Sequence, residues 1–103
     1  MSSAITKPGG FEAHMTFPKE AYQHVDTLGT VHGWTFSQIT GCPMLGQGTY
    51  CYLTGYSKDD PGLLRRIMEQ ITADAFLLGI EPLRCKIEHI VYDSKTGVNE
   101  IGA

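Results

Sequence analysis

Long apolar runs are missing from this 103-residue chain. None approaches the roughly 18 residues of a membrane-spanning helix, so no membrane partner is expected. Met1 to Gly10 carries one Lys and no apolar centre, and therefore does not read as a secretory signal. Cysteine is scarce: Cys42, Cys51 and Cys85, an odd number without short spacings. That pattern is neither a disulfide framework nor a zinc motif. Cys51 and Cys85 lie in apolar runs and read as small buried thiols, whereas Cys42 falls in a Gly/Pro loop and reads as exposed. Unpaired thiols fit a reducing compartment, so the expected location is cytoplasmic. Excess charge is also small, with 8 Lys/Arg against 11 Asp/Glu. A mildly acidic chain has no bulk attraction to nucleic acid. His24 and His32 have no ligand spacing to another His or Cys, so neither a metal nor a cofactor is expected.

What is present is globular in kind. Hydrophobic residues make up 42% and charged residues 18%, enough for one core in one domain. Residues 1–10 read as a flexible tail ending in Pro8-Gly9-Gly10, residues 11–93 as the domain, and residues 94–103 as a polar C-terminal tail. Phe11 to Phe17 alternates strictly and predicts a half-buried strand. Pro18 suits a first helical position, and Ala21, Val25 and Leu28 recur at helical spacing with Gly29 as the stop. Gly33 to Ile39 and Thr49 to Tyr56 predict two more strands, joined by the Gly-rich loop Gly41 to Gly48. Asp60 and Pro61 open a second helix whose stripe is Leu64, Ile67, Met68, Ile71, Ala75 and Leu78, with Gly79 closing it. Leu83 to Tyr92 is the fourth strand. The order βαββαβ predicts an α+β, ferredoxin-like fold: a four-stranded antiparallel sheet with two helices on one face and strands one and three central.

The face without helices is where a site is expected. Alternation places Glu12, His14 and Thr16 there from strand one, with Thr35, Ser37 and Ile39 from strand two. Strand three adds Tyr50, Tyr52, Thr54 and Tyr56, and strand four adds Lys86, Glu88, Ile90 and Tyr92. The same parity turns Cys85, Ile87, His89 and Val91 towards the helices, an uncomfortable place for a histidine. A His beside carboxylates, a Lys and several hydroxyls suits acid/base work on a small anionic molecule. His14 and Glu88 are the candidate catalytic pair. Glu12, Thr16, Tyr50, Tyr52, Thr54 and Lys86 are the candidate ligand-binding residues. The competing reading is a non-catalytic interaction module, because Tyr-rich faces also suit interfaces. A homo-oligomer, most simply a dimer, is expected under either reading. Arg84 and Lys86 also read as edge-strand charges that resist aggregation.

His14-Met15-Thr16-Phe17 resembles one of the two His-x-Thr elements of the 2H phosphoesterases. The resemblance implies a hydrolase with His14 as acid/base and Thr16 on a phosphate oxygen. The corresponding segment of strand three is Tyr52-Leu53-Thr54-Gly55, where the Thr recurs and Tyr replaces His. One subunit therefore lacks the second histidine of that mechanism. The loop at Gly41–Gly48 has no Lys-Ser/Thr ending and feeds a strand, so it is not a nucleotide-binding P-loop. The central strands carry Tyr without Arg or Lys, which disfavours an RNA-recognition face.

Overall fold

The computed structural model describes residues 6–40, 48–93 and 98–102, and the side chains within 9–40 and 48–90. The strands are β1 (Thr6–Pro18), β2 (Thr35–Thr40), β3 (Thr49–Ser57), β4 (Arg84–Asp93) and β5 (Val98–Gly102). The helices are α1 (Tyr22–His32) and α2 (Pro61–Leu77), with a 3₁₀ turn at Lys19–Ala21 before α1. The strands form one antiparallel sheet in the order β2-β3-β1-β4-β5. The class is α+β.

β1 is the central strand and alternates as its sequence demands. Ala13, Met15 and Phe17 are fully buried under the helices, with Cys51 and Leu53 of β3 beside them. Val25 and Leu28 of α1, and Leu64, Ile71 and Ala75 of α2, close the core from above. Trp34 packs into it so tightly against Gly55 that a Cβ on Gly55 would collide with the indole. α2 begins where its capping chemistry places it: the Asp60 carboxylate accepts a hydrogen bond from Leu63 N–H at 3.0 Å, and Pro61 follows. The expected stripe of α2 is buried or half-buried except Leu78, which lies past the helix end and is exposed.

Several boundaries differ from the sequence expectation, each for a local reason. β1 starts at Thr6, not Phe11, because a register shift between Pro8 and Gly10 lets the Pro-Gly segment stay in the ladder. Pro18 ends β1 with ψ 146°, an extended value, so it precedes the helical turn instead of starting it. Gly29 does not stop α1. It is buried against Leu53 and the Trp34 carbonyl, and the stop is Gly33, whose φ of 74° gives the left-handed cap. Residues 98–102 were expected in a tail and instead form β5. It covers the His89–Asp93 half of β4, satisfying backbone groups that an edge would expose. Arg84–Glu88 therefore stays at an edge among the described residues, while the other half of β4 does not. Cys51 is buried as expected, but Cys85 is exposed, since its strand segment lies at the margin of the helical cover. The burial it does have pushes the Cys85 thiol up. Cys42 and most of the Gly41–Gly48 loop lie outside the described residues, as do the Val91 and Tyr92 side chains. Among the described residues no helix is long and apolar enough to cross a membrane.

Candidate functional site

The register turns the open face into rows running across the strands. Directly opposed residues share a face and lie side by side. The first row is Tyr56, Glu12 and Glu88. The second is Thr35, Thr54, His14 and Lys86. The third is Ser37, Tyr52, Thr16 and Arg84. The fourth contains Ile39, Tyr50 and Pro18. Successive rows are about 6.8 Å apart, two residues along a strand. The parity expected for β4 is the one observed. His89 lies on the helical side, half-buried, where it stacks on Phe11 with ring centroids 4.8 Å apart and planes at 22°.

His14 is the centre of a connected polar cluster. Its Nε2 lies 3.1 Å from a Glu12 carboxylate oxygen and its Nδ1 lies 3.3 Å from the Thr54 hydroxyl. One tautomer satisfies both contacts: Nε2–H donates to Glu12, and Nδ1 accepts from Thr54. Glu88 stands 3.9 Å from Nε2 on the other side. The other oxygen of Glu88 holds the Lys86 ammonium at 2.6 Å. His14 is 24% exposed and Glu88 15%, so these charges are partly withdrawn from water while the imidazole remains reachable.

Of the eight residues expected at the site, the structure gathers Glu12, His14, Thr54, Lys86 and Glu88 into one network. Thr16 and Tyr52 stand side by side in the next row. Tyr50 lies two rows from His14, about 14 Å along the strand, and does not join the cluster. Arg84 stands at the edge as expected, half-buried, and opposes Thr16 on the open face. The signal was present: Arg84, Lys86 and Glu88 alternate and must share a face.

The arrangement is a carboxylate, an imidazole and a hydroxyl in line, flanked by a second carboxylate and a lysine. A carboxylate on one ring nitrogen fixes the orientation of the imidazole and leaves the other nitrogen to exchange a proton. Among the described residues no group of three or more His, Cys, Asp or Glu is arranged to hold a metal ion. A separate cleft, lined by Pro18, Ala21, His24, Ile80 and Glu81, contains none of the cluster. In comparisons with known proteins, no family model, no curated protein and no solved structure matches this chain. The reading of the site therefore rests on its geometry.

Proposed function

We propose that the open sheet face binds, and acts on, a small anionic molecule, with His14 as general acid/base and Glu12 as the group that orients it. The observation that carries this reading is the pair of contacts on His14, Glu12 at 3.1 Å and Thr54 at 3.3 Å, on adjacent strands. A ligand oxygen taking the place of the Thr54 hydroxyl at Nδ1 meets an imidazole already anchored through Nε2. Glu88 serves as the second carboxylate and Lys86 as a point charge for the anion. Half-burying one His, two carboxylates and a Lys on one face costs desolvation that an apolar surface avoids, which argues for a use. The resemblance of His14-x-Thr16 to a phosphoesterase element is in keeping with this, although the second histidine is missing.

The test is a thermal-shift screen of wild type and His14→Ala against nucleotides, cyclic phosphates, phosphosugars and small carboxylates. Saturation at a hundred times the dissociation constant adds about 2.7 kcal/mol and is readily seen. A shift present in wild type and absent in His14→Ala supports the site. A panel without any shift refutes it.

A second reading is favoured by Ile39 and Tyr56, which are 51% and 58% exposed on the same face. On this reading the face is closed by a second copy of the chain, giving a dimer. His14→Ala would then alter the sedimentation profile and leave ligand responses unchanged. The reading of the fold that goes with both is ferredoxin-like with an added fifth strand. It is supported by β1 and β3 at the centre, β2 and β4 outside them, and both helices on one face. A cytoplasmic setting fits the free thiols of Cys51 and Cys85.

A further inference from the structure

Thr16 is the one buried polar residue among those described, at 4% exposed, and it faces the side of the sheet without helices. Its backbone carbonyl accepts from Leu83 N–H at 2.7 Å. Its hydroxyl has no hydrogen-bond partner among the described residues. The hydroxyl itself is not sealed from the surface, so what little of Thr16 stays open lies at the open face. Arg84 stands directly opposite, half-buried, and makes no ion pair among the described residues. An unused hydroxyl and an unused guanidinium thus share one row, one row away from His14.

Counting charges narrows what fills that row. Lys86 is neutralised by Glu88 at 2.6 Å. Glu12 is matched by His14 at 3.1 Å when the imidazole carries its second proton. One positive charge, that of Arg84, is then left over. With a neutral imidazole, Arg84 and Glu12 cancel and none is left over, so in either state a monoanion leaves less excess charge than a dianion. Guanidinium presents paired donors in a plane and fits two oxygens of one oxyanion.

We propose that Arg84 and the Thr16 hydroxyl form the subsite for the ligand's anionic head, an oxyanion group of single negative charge such as a phosphodiester or a carboxylate. This rests on the anion-site reading of the open face and adds to it the residue that holds the charge and the charge it selects. The head lies about 6.8 Å from the His14 row, the reach of a small ligand whose reacting oxygen meets His14.

The experiment is an amide-resolved NMR titration at pH 7.5 with dimethyl phosphate, methyl phosphate and acetate. It is run on wild type, Arg84→Gln, Arg84→Lys and His14→Ala, and the spectra themselves report whether each variant is folded. The expected result is that dimethyl phosphate or acetate shifts the amides of Thr16, Tyr52 and Arg84, at least fivefold more tightly than the mostly dianionic methyl phosphate. Arg84→Gln weakens binding at least tenfold, and Arg84→Lys restores it only in part. Tighter dimethyl phosphate assigns the subsite to diesters, and tighter acetate assigns it to carboxylates. If Arg84→Gln binds as wild type does while His14→Ala does not, or if methyl phosphate binds most tightly, this inference is overturned and the anion site stands. If no anion moves any open-face amide, both fall.

Discussion

Thr16→Val should make the protein more stable while removing its response to anions. Valine has nearly the shape of threonine and suits a central strand. The substitution therefore keeps the packing of a residue that is 4% exposed and deletes only a hydroxyl without a partner. Sealing such a group from both protein and water costs about 1–3 kcal/mol, and a hydroxyl that still reaches the surface costs less. We take the lower end, because a ligand-facing hydroxyl keeps some contact with water, and expect a gain of about 1 kcal/mol. For a domain near 100 residues that corresponds to a rise of about 4–8 °C in Tm. Thr16→Ser is the converse control. It keeps the hydroxyl and loses a buried methyl, and should cost about 0.8 kcal/mol. Urea unfolding of the three proteins, with m-values compared, measures both differences. A loss of 1 kcal/mol or more in Thr16→Val would show that the hydroxyl is bonded in the folded protein, and the case for an anion subsite there would fail.

Gly55→Ala places a methyl where the Trp34 ring lies. Overpacking of this kind costs about 1–3 kcal/mol, so the urea midpoint should fall and the tryptophan emission should shift to the red. An unchanged midpoint would mean that the indole lies elsewhere. Asp60→Ala removes the carboxylate that caps α2 at Leu63 N–H and should cost about 1 kcal/mol in urea unfolding. A cost near zero would show that α2 does not depend on that cap. Partial burial raises the Cys85 thiol above its usual range, so the thiolate forms only at higher pH. Alkylation of Cys85 by iodoacetamide, followed by peptide mapping, should rise through a midpoint above that of an unfolded control. Because the folded state holds this proton longer, the same group makes folding less favourable as pH rises past the unfolded-state value.

The sheet and its two faces were legible because period-two alternation is decided locally. Phe11, Ala13, Met15 and Phe17 can bury only one side of β1, and the residues between them must point the other way. α2 was legible for a similar reason, since Asp60, Pro61 and the apolar stripe all act within the segment. The misread boundaries depended on distant partners. Gly29 reads as a helix stop until Leu53 and Trp34 press against it, and then its missing side chain is what the packing requires. Residues 98–102 carry little apolar signal of their own, and they become a strand because β4 offers an unpaired edge. The site divides along the same line. Which residues share the open face follows from alternation. Which of them touch follows from register, a property of strand pairs that no single segment contains. Tyr50 therefore dropped away from His14, and Arg84 came up beside Thr16.

Register also fixes where each side chain of the cluster stands. β1 is paired on both sides along the whole stretch from Glu12 to Thr16. His14 cannot shift by one residue without burying Glu12 and exposing Met15 to water, so the hydrophobic core fixes its place. Side chains on interior strands are held more firmly than side chains on loops, and proton transfer demands that kind of placement. The same ladder holds Thr16 one row further on, opposite Arg84, with its hydroxyl on the open side of the sheet. A sequence under pressure for stability alone would carry valine at that position. Threonine there, opposite an arginine, is what the proposed anion subsite requires, and the Thr16→Val variant tests it.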